Sequence, residues 1–248
     1  MNMSEQITQL GDEGRLLMAA AERAGTDAPV PTCPGWRVRD LLRHTGTVHR
    51  WATAFVAEGH TEYLADEGEP DVDGAELLAW FAEGHQGLVA ALEAAPHDLA
   101  CWTFMPAASG SAFWARRQLH ETTVHRVDAE SARGGPYTPV GTARAIDGVD
   151  ELLAGFHARP KSRVRTEDPR VLRVHANDVD AAWTVHLSAG PPRTVRDDGR
   201  GSAADCVLSG SAEALYLALW NRLPLSDVTV EGDPAVARLW TENSAITW

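Results

Sequence analysis

The chain has 248 residues, of which 44% are hydrophobic and 23% charged, an ordinary globular composition that excludes long disordered tracts. This length suffices for one large domain or two modest ones. Thirty-five acidic residues against 22 basic ones give a formal net charge of −13, which repels nucleic acid and anionic membrane surfaces. We therefore expect neither as a partner, and an anionic ligand would need arginines gathered locally.

The opening segment has no basic region followed by an apolar one, and no run of about 18 apolar residues occurs along the chain. The sequence therefore predicts a cytoplasmic protein. Three cysteines, Cys33, Cys101 and Cys206, are widely spaced and form no CxxC pair. This spacing favours neither a disulfide framework nor a thiolate zinc site.

Amphipathic periodicity predicts five helices in the first two thirds of the chain, a pattern typical of a helical bundle. The predicted helices cover residues 10–20, 38–56, 77–92, 111–131 and 143–156. Glycines and prolines at 134–136 and at position 160 end the last two.

A polar, proline-bearing stretch at 157–170 has the character of a linker. Alternating hydrophobicity beyond it predicts strands at 171–176, 181–188, 203–209 and 228–230. A helix is expected at 211–222, and Asp233 followed by proline predicts the start of a last one. The predicted fold class is α+β, with a helical bundle over residues 1–162 and a small α+β domain over 163–248.

The stretch LHETTVHRVDAE (119–130) predicts a cluster of ionisable groups on one helix face. His120 and His125 are five residues apart and diverge by about 140°, so the HExxH geometry of a metalloprotease is absent. Glu121 and His125 are four apart and lie about 40° from each other. Asp128 follows on the same side, where its carboxylate can accept the second ring N–H of His125. An exposed Glu/His pair of small energetic value is the alternative interpretation.

A metal site would need a third ligand from another helix. The stretch GWRVRDLLRHTGTVHRWA (35–52) offers His44, beside Leu41 and Val48, and His49, which aligns with Leu42 and other apolar residues. Each histidine borders an apolar stripe, as packing histidines often do. Spacing alone leaves open which of the two could ligate a metal.

Together, TCPGWRVRDLLRH (32–44) and RRQLHETTVHRVDAE (116–130) resemble the DinB-like, mycothiol-dependent maleylpyruvate isomerase family. The resemblance implies an N-terminal four-helix bundle that carries a divalent metal, usually zinc, and a smaller C-terminal domain shaped like sterol-carrier folds. Carried over to this chain, the metal ligands are His44, Glu121 and His125, and His49 becomes a packing residue. Arg37 departs from the family pattern, since many relatives have a helix-capping serine or threonine there.

The resemblance also implies mycothiol as an external thiol cosubstrate and a small-molecule electrophile as substrate. Metal coordination deprotonates a thiol, and addition of the thiolate would lead to cis–trans isomerisation or to S-transfer. Arg222 is the first candidate for a catalytic anion contact, with Arg117 and Arg50 behind it. Two alternatives remain: a metal-dependent hydrolase on the same bundle, and a non-enzymatic small-molecule-binding protein. The oligomeric state, monomer or homodimer, is left open.

Overall fold

The computed structural model describes residues 1–197 and 203–246 and divides the chain into two compact units, Met1–Thr138 and Pro139–Trp248. Four long helices make up the first unit. They are α1 (Met3–Ala24), α2 (Val38–Glu58), α3 (Gly74–Ala94) and α4 (Gly110–Arg133). Within the described ranges, none of the helices is long and apolar enough to cross a membrane.

Side-chain caps mark where these helices begin. Asn2 and Glu5 form a reciprocal capping box at α1, with two bonds of 2.9 Å. Ser109 caps α4 by accepting a hydrogen bond from the backbone N–H of Ala112. At α2, where Arg37 offers no side-chain cap, its own backbone N–H donates to Asp40 at 2.8 Å. The arginine therefore costs the helix one capping bond without displacing its start.

The core of the bundle lies where α1 packs along α4 and α2 packs against α3 and α4. Its fully buried side chains come from all four helices, and α4 is buried along almost its whole length. The residues of this core include Leu17, Leu41, Leu42, Phe81 and Ala129. Because α4 is surrounded by the other helices, its charged residues are held inside the bundle rather than facing water.

The loop between α1 and α2 is tied back onto the bundle. Its backbone forms an isolated bridge between Pro29 and Arg37, and the N–H of Val30 donates to the carbonyl of Trp36 at 2.9 Å. Val30 is buried among the core residues of α1 and α2. This anchoring fixes the position of Trp36 just before α2.

The second unit contains a five-stranded sheet in the order β3-β2-β1-β4-β5. Only β1 and β4 pair in parallel, with Leu172 opposite Cys206, and the other pairs are antiparallel. The strands are β1 (Arg170–Ala176), β2 (Ala181–Leu187), β3 (Arg193–Asp197), β4 (Cys206–Gly210) and β5 (Thr229–Gly232). The helices are α5 (Thr142–Asp150), which continues as a π-helical segment (Glu151–Phe156), α6 (Ala212–Leu219), a 3-10 turn (Leu225–Asp227) and α7 (Pro234–Asn243). Both α6 and α7 pack on β1 and β4.

The α+β fold class is confirmed, with two differences in detail. The edge strand β3 was not predicted, because its sequence RTVRD is mostly charged and largely exposed. The segment 139–162, expected in the first domain, packs with the sheet instead. Trp183 in β2 donates to Asp150 at 2.6 Å, and Thr194 in β3 donates to the carbonyl of Leu153 at 3.0 Å. The compact units therefore meet at 138/139, whereas the sequence placed the boundary at 162/163.

Candidate metal centre

Three side chains from α2 and α4 converge inside the bundle. Oε1 of Glu121 lies 3.4 Å from Nε2 of His44 and 3.2 Å from Nε2 of His125. One ligand atom from each of the three lies within 4.8 Å of the others. Glu121 and His125 share a face because they are one helical turn apart, and the packing of α2 on α4 brings His44 to them.

His49 lies elsewhere in the bundle. Its ring is fully buried, and its Nε2 is 2.9 Å from the hydroxyl oxygen of Thr122. The ring also packs against Phe81 and His85, with centroid separations of 5.5 and 5.2 Å. Burial and the nearby positive charges lower its pKa well below the ordinary histidine value. The geometry thus places His44, and not His49, beside Glu121.

The second ring nitrogen of His125 has a buried partner. Its Nδ1 lies 2.9 Å from Oδ2 of Asp128, as the sequence predicts. The other oxygen of Asp128, Oδ1, accepts a hydrogen bond of 2.6 Å from the hydroxyl of Thr32. Thr32 comes from the loop before α2. A carboxylate at Nδ1 fixes the ring orientation and leaves Nε2 directed at Glu121.

Arg117, one turn before Glu121 on α4, contacts the other carboxylate oxygen. Its Nη2 donates to Oε2 at 3.0 Å, and the arginine is only 1% exposed. Burial alone would raise the pKa of Glu121, but hydrogen bonds from His125 and His44 and the charge of Arg117 hold that pKa well below its usual range. Glu121 is therefore ionised, as a metal-ligating carboxylate has to be.

Charge favours a cation at this position. Burial lowers the pKa of His125, but the carboxylates of Asp128 and Glu121 outweigh burial and raise that pKa to about 9. The two carboxylates thus stabilise a positive charge on the imidazole. The same pair would stabilise a divalent ion held between the ring and Glu121.

Trp36, whose role was not predicted from the sequence, packs over the two histidines. Its ring lies 5.2 Å from that of His44 and 6.2 Å from that of His125, nearly parallel to the latter at 19°. Trp114, near the start of α4, packs against Trp51 and Phe55. The tryptophan inside TCPGWRVRDLLRH, so close to His44, was the available signal.

The three arginines proposed to bind an anion have different surroundings. Arg117 is buried against Glu121, so its assignment as an anion contact is wrong. Arg50 lies 3.9 Å above the ring of Trp80 and donates to the backbone carbonyl of Trp80 at 2.7 Å. Arg222 lies just after α6, half-buried, and its Nη1 donates to the carbonyl of Trp220 at 2.8 Å. Its role as an anion contact stays a prediction.

The donor set fits a divalent metal. Ligand atoms around tetrahedral zinc lie about 2.0–2.2 Å from the ion, and hence roughly 3.3–3.5 Å from one another. The separations of 3.4 and 3.2 Å about Oε1 of Glu121 agree with this spacing. Two imidazoles and one carboxylate are also the ligands of catalytic zinc sites, and they suit other first-row metals.

Fold and site define a two-domain protein in which a four-helix bundle with a His/Glu/His cluster precedes a small α+β domain. The protein-family model for the mycothiol maleylpyruvate isomerase N-terminal domain matches residues 7–130 of this chain. The family model for the MDMPI C-terminal domain matches residues 144–239. The chain belongs to the mycothiol maleylpyruvate isomerase family, a family of enzymes.

Solved structures support the same fold. The protein in the crystal structure of the mycothiol-dependent maleylpyruvate isomerase is 13% identical in sequence to this chain, and the two structures compare with a TM-score of 0.63. That of a histidine-to-alanine mutant of it is 12% identical, with a TM-score of 0.65. Each match covers 93% of both chains. A comparison with curated proteins found no match.

Proposed function

We propose that this protein is a metal-dependent enzyme that uses mycothiol as a nucleophile toward a small electrophilic molecule. The observation that carries the proposal is the convergence of His44, Glu121 and His125 within 4.8 Å. Membership of the family supplies the thiol, since its name specifies mycothiol. None of the chain's own cysteines belongs to this cluster within the described residues, which is consistent with an external thiol.

The three side chains would hold the metal, with zinc as the first choice for this donor set. When bound, a divalent metal supplies the acidity that keeps a coordinated thiol deprotonated at neutral pH. With a metal bound in place of the second proton, Asp128 would hold the remaining proton of His125 at Nδ1 and leave the Nε2 lone pair for the metal. Trp36 packs against both imidazoles, with ring centroids 5.2 and 6.2 Å from them.

The proposed reaction begins with addition of the thiolate sulfur to one carbon of a double bond conjugated to a carbonyl. A C–S bond forms, and the electron pair of the double bond moves onto the carbonyl oxygen as an enolate. Rotation about the resulting single bond follows. When the enolate re-forms the double bond, the thiolate leaves and the cis substrate has become trans.

S-transfer differs only in the last step. If the adduct takes a proton on carbon instead of losing sulfur, the product keeps the C–S bond. A substrate carboxylate would need a cationic contact, and Arg222 is the proposed one, because an arginine fork binds a carboxylate with two hydrogen bonds. Isomerisation is the outcome that the family name favours.

The first test measures metal content in the wild type and in two matched variants of α2, His44→Gln and His49→Gln. We expect about one metal per chain in the wild type and in His49→Gln, and loss of metal in His44→Gln. Circular dichroism checks that both variants are folded. Metal retained in His44→Gln and lost in His49→Gln would overturn the ligand assignment.

The second test replaces the metal with cobalt(II) and titrates the protein with mycothiol. A thiol-dependent change in the visible spectrum, absent in His44→Gln, is expected. Turnover of maleylpyruvate without any thiol would favour the hydrolytic or another thiol-free reaction instead. Stoichiometric metal with a spectrum that no thiol alters would favour the non-enzymatic binding protein.

A further inference from the structure

The two oxygens of Glu121 have different partners. Oε1 faces the two imidazoles, at 3.4 Å from His44 and 3.2 Å from His125, whereas Oε2 accepts a hydrogen bond from Arg117 at 3.0 Å. Arg117 and Glu121 are both almost fully buried. Without water around them, this hydrogen bond has no solvent competitor.

A buried arginine beside a cation site is unfavourable on charge alone. Taking the guanidinium out of water is unfavourable, and its positive charge repels a divalent ion at short range. The ion pair with Glu121 offsets part of that cost but also draws negative charge away from the metal. The arrangement is therefore better explained by geometry, since the planar guanidinium determines where Oε2 points.

The position of Oε2 decides how many coordination sites the carboxylate occupies. A carboxylate free to turn can bind a metal through both oxygens, as it does in many metal sites. With two histidines, a carboxylate bound through both oxygens would complete four coordination positions. Bound through Oε1 alone, it leaves the fourth position for a further ligand, as catalytic zinc sites do.

We infer that Arg117 is a positioning residue that restricts Glu121 to one ligating oxygen and thereby keeps a coordination position open for the thiol. This inference rests on the proposed function, because it concerns the same metal. Arg117 acts through Glu121 and does not itself touch the metal or the substrate. It differs from Asp128, which orients the ring of His125 instead.

The chain offers a matched control on the same helix. Arg126 is 0% exposed and pairs with Glu130 at 2.7 Å across one turn, as Arg117 pairs with Glu121. Arg126→Met removes an equally buried guanidinium without touching the ligands. Arg117→Met removes the hydrogen bond to Oε2, and Arg117→Gln serves as a milder variant if the methionine protein does not fold.

The readout is the cobalt(II) protein, without turnover. The visible spectrum of cobalt(II) depends on the identity and arrangement of its ligand atoms, so we expect a spectrum that differs from the wild type in both Arg117 variants and the wild-type spectrum in Arg126→Met. Competition with a chromophoric chelator should show a higher metal affinity in the Arg117 variants than in Arg126→Met, because a second ligand oxygen becomes available and a positive charge near the ion is removed.

The outcomes separate the two proposals. If the wild type binds metal and the Arg117 variants keep its spectrum and affinity, the inference about Arg117 is overturned and the proposed function stands. A wild-type protein that takes up no metal would contradict both the proposed function and the inference about Arg117. The same change of spectrum in Arg126→Met would show a general effect of lost packing and would also overturn the inference.

Discussion

Arg126 provides the sharpest test of how the bundle is held together. Its Nε donates to Glu13 on α1 at 2.8 Å, and its Nη1 donates to Glu130 at 2.7 Å and to the carbonyl of Thr138 at 2.6 Å. The arginine and both carboxylates are at most 2% exposed. Arg126→Met would remove the guanidinium that both buried carboxylates contact, although Glu130 also lies 4.0 Å from Arg133.

The expected loss follows from this burial. Breaking a buried ion network by removing one partner costs about 3–5 kcal/mol, because the remaining charges stay out of water. For a chain of this length, each kcal/mol lowers the melting temperature by roughly 2–4 °C, so the variant should melt about 6–20 °C lower. Removing one partner of a solvent-exposed ion pair, by contrast, would lower the free energy of unfolding by less than about 1 kcal/mol.

Urea unfolding followed by circular dichroism measures the free energy of unfolding. A triple variant that adds Glu13→Gln and Glu130→Gln removes the stranded charges, and should recover a large part of the loss. Both proteins should retain metal, since Arg126 does not contact the ligands. A loss below about 1 kcal/mol, or a triple variant no more stable than Arg126→Met, would refute the reasoning.

Two further predictions concern buried hydrogen bonds and titration. Thr32→Val removes the hydroxyl donated to the buried carboxylate of Asp128 and should lower the free energy of unfolding by about 1.5–3 kcal/mol; equal stability in urea would contradict it. Burial lowers the pKa of His157 from 6.5 to about 4, against a smaller opposite effect of Ser244. The contribution of the neutral His157 ring to the free energy of unfolding is therefore fully present above pH 6.5. It falls by about 3 kcal/mol as the pH is lowered toward 4. Urea unfolding from pH 7 to pH 4 should show this loss in the wild type and not in His157→Phe; parallel pH profiles would rule it out.

The sequence by itself determined the long helices and the pairing of Glu121 with His125. Both depend on local periodicity: apolar residues repeat at helical spacing, and residues four apart share a face. Asp128 followed from the same rule. The strand β3 was not predicted because RTVRD, at a sheet edge, is mostly charged and shows no alternation of apolar residues.

Helical spacing did not distinguish His44 from His49; the family resemblance assigned His44, and the tertiary structure gives the geometric reason. Both histidines border apolar stripes of α2, so their spacing makes each an equally good candidate for the third metal ligand. The packing of α2 on α4 places His44 beside Glu121 and directs His49 to Thr122. A difference of this kind depends on how two helices are rotated against each other, which no spacing within one helix records.

The surroundings of the site were likewise decided by the fold. Arg117 could be expected on the surface, as arginine usually is, but α4 is enclosed by its neighbours and its charged residues therefore pair inside the bundle. Thr32 and Trp36 reach the site from a loop about 90 residues before His125, through backbone bonds that anchor the loop. Periodicity determines the face of a helix on which a residue lies, and long-range packing determines what that face meets.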